Sequence, residues 1–216
     1  MKIAIIGSTG RTGRHVLAEA LRRGHQVTAF TRDATALAGK PEPHAVVEGD
    51  GRDPDKVRVE GDGRDPDKVR AAVDGVDAVI SIINGGDKRD PHRAAQATRT
   101  IMRAMAETGT RRLVVTTPYP NVARRPYLVL WLLRRLLATP YADARDLEQA
   151  VAASDLDWTI ARLTRLTDGP AAGSGLVSHG LLAKPRALTR ADVATTLLDI
   201  VHDPGLSRAA VNICGR

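Results

Sequence analysis

Three glycines after one strand constrain this chain more than any other feature. Lys2-Ile3-Ala4-Ile5-Ile6 is an apolar run suited to a central strand buried on both faces. It is closed by Gly7-Ser8-Thr9-Gly10-Arg11-Thr12-Gly13. Arg11 to Arg23 then carries Val16, Leu17, Ala20 and Leu21 at helical spacing, and Gly24 ends it. A tight strand-to-helix turn needs glycine for its backbone angles, and a closely approaching pyrophosphate leaves no room for side chains. The helix start offers unpaired N–H groups and the positive end of its dipole. Ser8, Thr9 and Thr12 offer hydroxyls beside them. In that context the Gly7, Gly10, Gly13 spacing reads as a dinucleotide cradle that includes Arg11.

The rest of the chain repeats the alternation. Strands are expected at Gln26 to Thr31, His44 to Val47, Asp77 to Ile83, Leu113 to Thr117, Trp158 to Arg162 and Ala210 to Ile213. Helices are expected at His92 to Thr108, Tyr141 to Ala153 and Ala191 to Val201. Strands alternating with helices of this length predict an α/β fold, a Rossmann-type doubly wound parallel sheet in one domain over residues 1–216. Right-handed crossovers put the strand C-terminal ends along one edge, where ligands bind.

The strand ends then name the candidate contacts. The second ends Phe30-Thr31-Arg32-Asp33. A 2′-hydroxyl is often held by Asp or Glu there; Arg32 instead stands where a 2′-phosphate would lie and can grip it bidentately. This favours NADP(H) over NAD(H), with Arg11 or Arg14 as helpers. After the third strand, Asp50 and Asp62 are rival adenine contacts, because Val47 to Arg58 recurs unchanged as Val59 to Arg70. That tandem duplication of twelve residues is expected to enlarge a surface connection, as a protruding turn or a longer helix. Asn84 and Gly85, with Gly86, follow the fourth strand where the ribose and nicotinamide should pass. Thr116-Thr117-Pro118-Tyr119 follows the fifth and should border the reacting end. Thr117 and Tyr119 are therefore the candidate catalytic residues. The apolar Tyr127/Trp131 segment supplies candidate pocket walls, and Gly169 to Lys184 a candidate cap.

Composition narrows the classes. Cys214 is the single cysteine, so no intrachain disulfide and no cysteine-based zinc site can form. The six histidines show no ligand spacing, and no metal is expected. Net charge is +7, yet the arginines are interspersed with acids and aromatics make up only 3%. That pattern weighs against a nucleic-acid partner and suits anionic small molecules. The apolar run Tyr127 to Leu137 is broken by Arg134 and Arg135 and too short to span a bilayer. With no leader before the first strand, a cytoplasmic monomer or homodimer is expected, without a membrane partner.

The segments KIAIIGSTGRTG (2–13), FTRD (30–33), VEGD in either copy, VDGVDAVIS (73–81), RRLVVTT (111–117), SDLDWTIARLTRLTDGP (154–170) and TRADVATTLLDIVHDP (189–204) together resemble the atypical short-chain dehydrogenase/reductase group. That group includes NmrA-like proteins and biliverdin-IXβ and flavin reductases. The resemblance implies NADP(H) as cofactor, Arg32 as the 2′-phosphate arginine, and a small substrate lobe formed by C-terminal loops. Many short-chain dehydrogenases use a Tyr-x-x-x-Lys pair for proton relay. Here Tyr141 is followed by Arg145 in the lysine position, and an arginine is not equivalent. Flavin and bilin reductases pass hydride directly to a conjugated acceptor and do not need the pair. The resemblance thus implies an NADPH-dependent reductase of a small flavin-, quinone- or bilin-like acceptor. An NmrA-like NADP(H) sensor without turnover is the alternative.

Overall fold

A computed structural model describes residues 1–39, 41–49, 66–124 and 126–216. In chain order the elements are β1 (Lys2–Ile6), α1 (Gly13–Arg22), β2 (Gln26–Thr31), β3 (Ala45–Glu48), α2 (Pro66–Val73), β4 (Ala78–Ser81), α3 (Arg93–Thr108) and β5 (Arg112–Pro118). There follow α4 (Tyr127–Leu136), α5 (Ala138–Ala152), β6 (Asp157–Leu163), β7 (Leu166–Thr167), β8 (Leu176–Ser178), β9 (Leu188–Thr189), α6 (Arg190–His202) and β10 (Ala209–Cys214).

The main sheet runs β3-β2-β1-β4-β5-β6-β10-β8, parallel throughout except for β8. Chain order runs outward from β1 to β3, then resumes on the other side of β1 with β4. That reversal opens a crevice at the C-terminal ends of β1 and β4, where loops diverge to opposite faces. Two apolar layers cover the sheet. On one side α1 and α6 pack through Val16, Leu17, Leu197 and Leu198 against Ile3, Ile5 and Ile80. On the other, α2, α3 and α5 bury Val69, Ile101, Met105 and Leu147 against Ile6, Val79 and Leu113. The doubly wound Rossmann-type architecture expected from the sequence is the one observed.

Two segments differ from expectation. The apolar run from Tyr127, for which the sequence set no element, forms α4, and the helix expected from Tyr141 starts earlier, as α5 at Ala138. Pro140 is tolerated there because the first helical turn has no intrahelical acceptor for its N–H. Second, the stretch 169–184 does not cap the crevice. Its Leu176–Ser178 portion pairs antiparallel with β10 and extends the sheet edge, while β7 and β9 form a separate two-stranded ladder. The second duplicate copy opens α2 through Pro66-Asp67-Lys68-Val69-Arg70. Asp50, Asp62 and the junction between the copies lie outside the described residues.

Candidate active site

The glycine turn is fixed by backbone sterics. Gly7 has φ +85°, and a Cβ there would lie 2.5 Å from the Ile82 carbonyl oxygen after β4. A Cβ on Gly13 would stand 2.0 Å from the Gly7 carbonyl oxygen. Gly10 is less confined, its nearest neighbour being the same oxygen at 3.2 Å. The β1 and β4 loops therefore touch at the point where the sheet reverses, and only glycine admits that approach.

The hydroxyls divide differently from expectation. Ser8 is fully buried and its Oγ donates to the Phe30 carbonyl at 3.1 Å; Thr9 Oγ1 lies 2.8 Å from Thr31 Oγ1. The Gly7 and Ser8 N–H groups also donate to the Phe30 carbonyl, at 3.2 and 3.4 Å. Ser8 and Thr9 thus staple the turn to the end of β2, one through the Phe30 carbonyl and the other through the Thr31 hydroxyl, and leave the ligand side to backbone. Thr12 alone of the three lines the crevice. From Arg14 onward the N–H groups of α1 find backbone acceptors, so the free positive end of the helix is the stretch just before it. This loop fits a dinucleotide diphosphate: close-approach glycines, a helix start, and no acid among residues 7–13.

At the β2 end, Arg32 is exposed. Asp33 is occupied as a cap: its carboxylate accepts from Thr35 N–H at 2.9 Å and from Thr35 Oγ1 at 2.5 Å. Arg11 pairs with Asp168 at 2.6 Å, and Arg190 binds the same carboxylate at 2.8 Å. Arg11 beside it holds the Asp168 carboxyl below the usual range. Arg11 thereby ties the glycine turn to the strand β7 region.

Beside the turn lies a cavity of about 430 Å³. It starts at Thr12, runs past Asn84 and Gly85 after β4 and Thr116 and Thr117 on β5, and ends against Tyr141 on α5. Apolar walls come from Ile82, Leu137, Leu147 and Leu163. Thr117 Oγ1 donates to Glu148 at 2.6 Å, and Arg162 holds the same carboxylate at 2.6 Å. Gly85 and Gly86 are sterically required, since a Cβ on Gly85 would meet Pro140 at 2.9 Å and one on Gly86 the Asp90 carbonyl oxygen at 2.4 Å.

Three expected residues stand elsewhere. Tyr119 does not line the cavity; its ring is buried with Ala123 and Leu130, and its hydroxyl accepts from Leu182 N–H at 2.9 Å. The proline before it starts a 3₁₀ turn that carries the side chain behind the wall. Tyr127 and Trp131 are 77% and 55% exposed and form no pocket wall, because α4 turns Leu130 inward instead. Tyr141 takes the place expected of Tyr119. Burial pushes its phenol up, against a smaller pull down from Arg134. Arg145, in the lysine position of a Tyr-x-x-x-Lys pair, is exposed and absent from the cavity wall.

Asp143 is the functional-site residue that sequence reasoning missed. It is completely buried, and its carboxylate accepts from the N–H groups of Gly86 at 2.7 Å and of Ala94 and Ala95 at 2.9 Å. It thus caps α3 from another helix and fixes the β4 loop. A long-range cap leaves no local sequence signal. Among the described residues, no group of three or more His, Cys, Asp or Glu could hold a metal ion. None of the described helices is long and apolar enough to cross a membrane.

Comparison with known proteins agrees with this geometry. A short-chain dehydrogenase/reductase from Veillonella parvula, solved in complex with NADP, superposes with a TM-score of 0.78 at 19% identity, covering 99% of this chain and 94% of that one. ChuY, an anaerobillin reductase from Escherichia coli O157:H7, superposes with a TM-score of 0.75 at 20% identity, covering 99% and 97%. The curated Bacillus subtilis protein YwnB is 51% identical over 37 residues, a stretch that spans 17% of either chain. Residues 7–204 match the model of the NAD(P)H-binding family. A match running from the glycine turn to the end of the last helix makes this chain a member of that family, on the fold of the short-chain dehydrogenases/reductases.

Proposed function

We propose that the protein is an NADPH-dependent reductase that passes hydride to a small conjugated acceptor of the flavin, quinone or bilin type. The observation that carries this reading is the cavity itself: it continues from the head of α1 along the ends of β4 and β5 to an apolar end at Tyr141, Leu137 and Leu147. The glycine turn and the start of α1 hold the diphosphate, and Arg32 holds the 2′-phosphate. The engagement of Asp33 by Thr35 supports Arg32 over Asp33 as the reader of the adenosine ribose. The fold shared with ChuY supports an extended conjugated acceptor.

Bound NADPH supplies the hydride at this site. A conjugated acceptor against the apolar wall would take up that hydride, leaving the oxidised cofactor, and solvent at the open side would supply the one further proton. The apolar wall orients the acceptor plane and sheds water from the reacting face. Thr117, its hydroxyl hydrogen committed to Glu148, presents an oxygen that fixes orientation and has no proton to give. No Tyr-x-x-x-Lys relay is built into this cavity, which is why a directly reducible acceptor fits better than an isolated carbonyl.

The test is loss of NADPH absorbance with purified protein and a panel of flavins, quinones and bilins. Turnover on a member of the panel supports the reading. Tight NADP(H) binding with no turnover on any of them would assign the protein as a sensor instead.

A further inference from the structure

Among the described residues, ten large apolar side chains are exposed, and six of them lie between Tyr127 and Leu137. At 100° per residue, Tyr127, Leu128, Trp131, Leu132 and Leu136 fall on one half of α4. The opposite half is anchored. Leu130 packs on Tyr119 and Ala123, and Arg134 donates to the carbonyls of Pro120 at 2.9 Å and Ala123 at 2.7 Å. The apolar face is therefore held outward by the fold.

Charge identifies what would cover it. Between Pro118 and Asp143, the stretch that contains α4, the sequence has four arginines and no acid or lysine. Arg135 sits within the apolar arc, its guanidinium carbon 5.9 Å from the Trp131 ring centroid. A two-fold contact with a second copy would oppose Arg135 to its equivalent with no acid on the helix to pair it. An anionic lipid surface meets both demands at once, with Leu and aromatic side chains at the acyl boundary and guanidinium groups at the phosphates. Exposing Tyr127 and Trp131 is notable in a chain with six aromatic residues in all.

We propose that α4 is an interfacial helix that docks this protein on an anionic phospholipid surface. Lying on a bilayer needs no spanning length, so the short helix is no obstacle.

The experiment is co-sedimentation of the full chain with vesicles of phosphatidylcholine alone or with phosphatidylglycerol added. The expected result is at least ten-fold stronger binding to the anionic vesicles, weakened by salt and lost in Leu132→Glu and in Arg135→Glu. Both positions are exposed, and unchanged thermal unfolding verifies that the variants are folded. Absence of binding to anionic vesicles at low salt overturns the proposal. Binding that survives both substitutions also overturns it, because other basic surface would then be responsible. A dimer in sedimentation velocity that Leu132→Glu dissociates, without vesicle binding, assigns the face to a second copy and overturns it as well.

Discussion

The buried Asp143 carboxylate accepts the Gly86 N–H at 2.7 Å, joining α5 to the loop that carries the cavity wall after β4. The same carboxylate takes the Ala94 and Ala95 N–H groups at the start of α3. Its negative charge thereby rests on a helix N-terminus in place of an arginine.

Replacing Asp143 with alanine strands three buried donors. The expected loss is roughly 3 kcal/mol of stability or more, read as a lowered urea midpoint with an unchanged slope. Asp143→Asn keeps one acceptor oxygen and should lose roughly half as much. A midpoint within error of the parent protein for the alanine variant would remove Asp143 as the anchor.

The glycine turn predicts a ranking. Gly13→Ala forces a Cβ to 2.0 Å from the Gly7 carbonyl, whereas Gly10→Ala brings one only to 3.2 Å. NADPH affinity and melting temperature should both fall far more for Gly13→Ala. Equal effects would mean that the turn is not sterically set.

Arg32→Glu tests cofactor choice. Loss of a charge-assisted contact to the 2′-phosphate is worth about 1.5–3 kcal/mol, so NADPH affinity should fall roughly ten- to hundred-fold. NADH affinity should change little. Calorimetric titration with both cofactors separates the cases, and equal loss for both contradicts the assignment.

Tyr141→Phe tests how the proton arrives. A positioned general acid contributes about 10²–10⁴-fold, so a phenol in that role would show a loss of that size. With hydride going directly to a conjugated acceptor, turnover should stay within about ten-fold of the parent.

Acid stability follows from Glu19. Hydrogen bonds from Arg22, and then from Arg23, hold its carboxyl down at about 2, from an ordinary 4.5. The unfolded chain takes up a proton as pH falls through 4.5, while the folded chain resists until about 2. The stabilisation is therefore complete above pH 4.5 and is lost between 4.5 and about 2. Arg22 is 70% exposed, so solvent screens the pair and the effect on stability is small. Glu19→Gln should flatten the pH dependence of the urea midpoint across that window.

The sequence by itself determined the strand-turn-helix start, because its signals are local. Gly10 and Gly13 answer to the Gly7 carbonyl a few residues away, the positive φ of Gly7 belongs to the turn itself, and the continuous apolar runs of β1 and β4 record burial on two faces. Cavity residues Thr12, Asn84, Gly85, Thr116 and Thr117 were legible because they sit at strand ends or helix starts, which the topology gathers at one edge. The tertiary structure alone decided the rest. Ser8 and Thr9 look like phosphate ligands in sequence, yet β2 lies close enough to claim both hydroxyls. Tyr119 is the strand-end candidate on paper, yet the 3₁₀ turn after Pro118 sends it behind the wall, and Tyr141, carried by α5, faces the cavity instead. Asp143 makes contacts 48 to 57 residues away in sequence, a separation that local patterning does not encode.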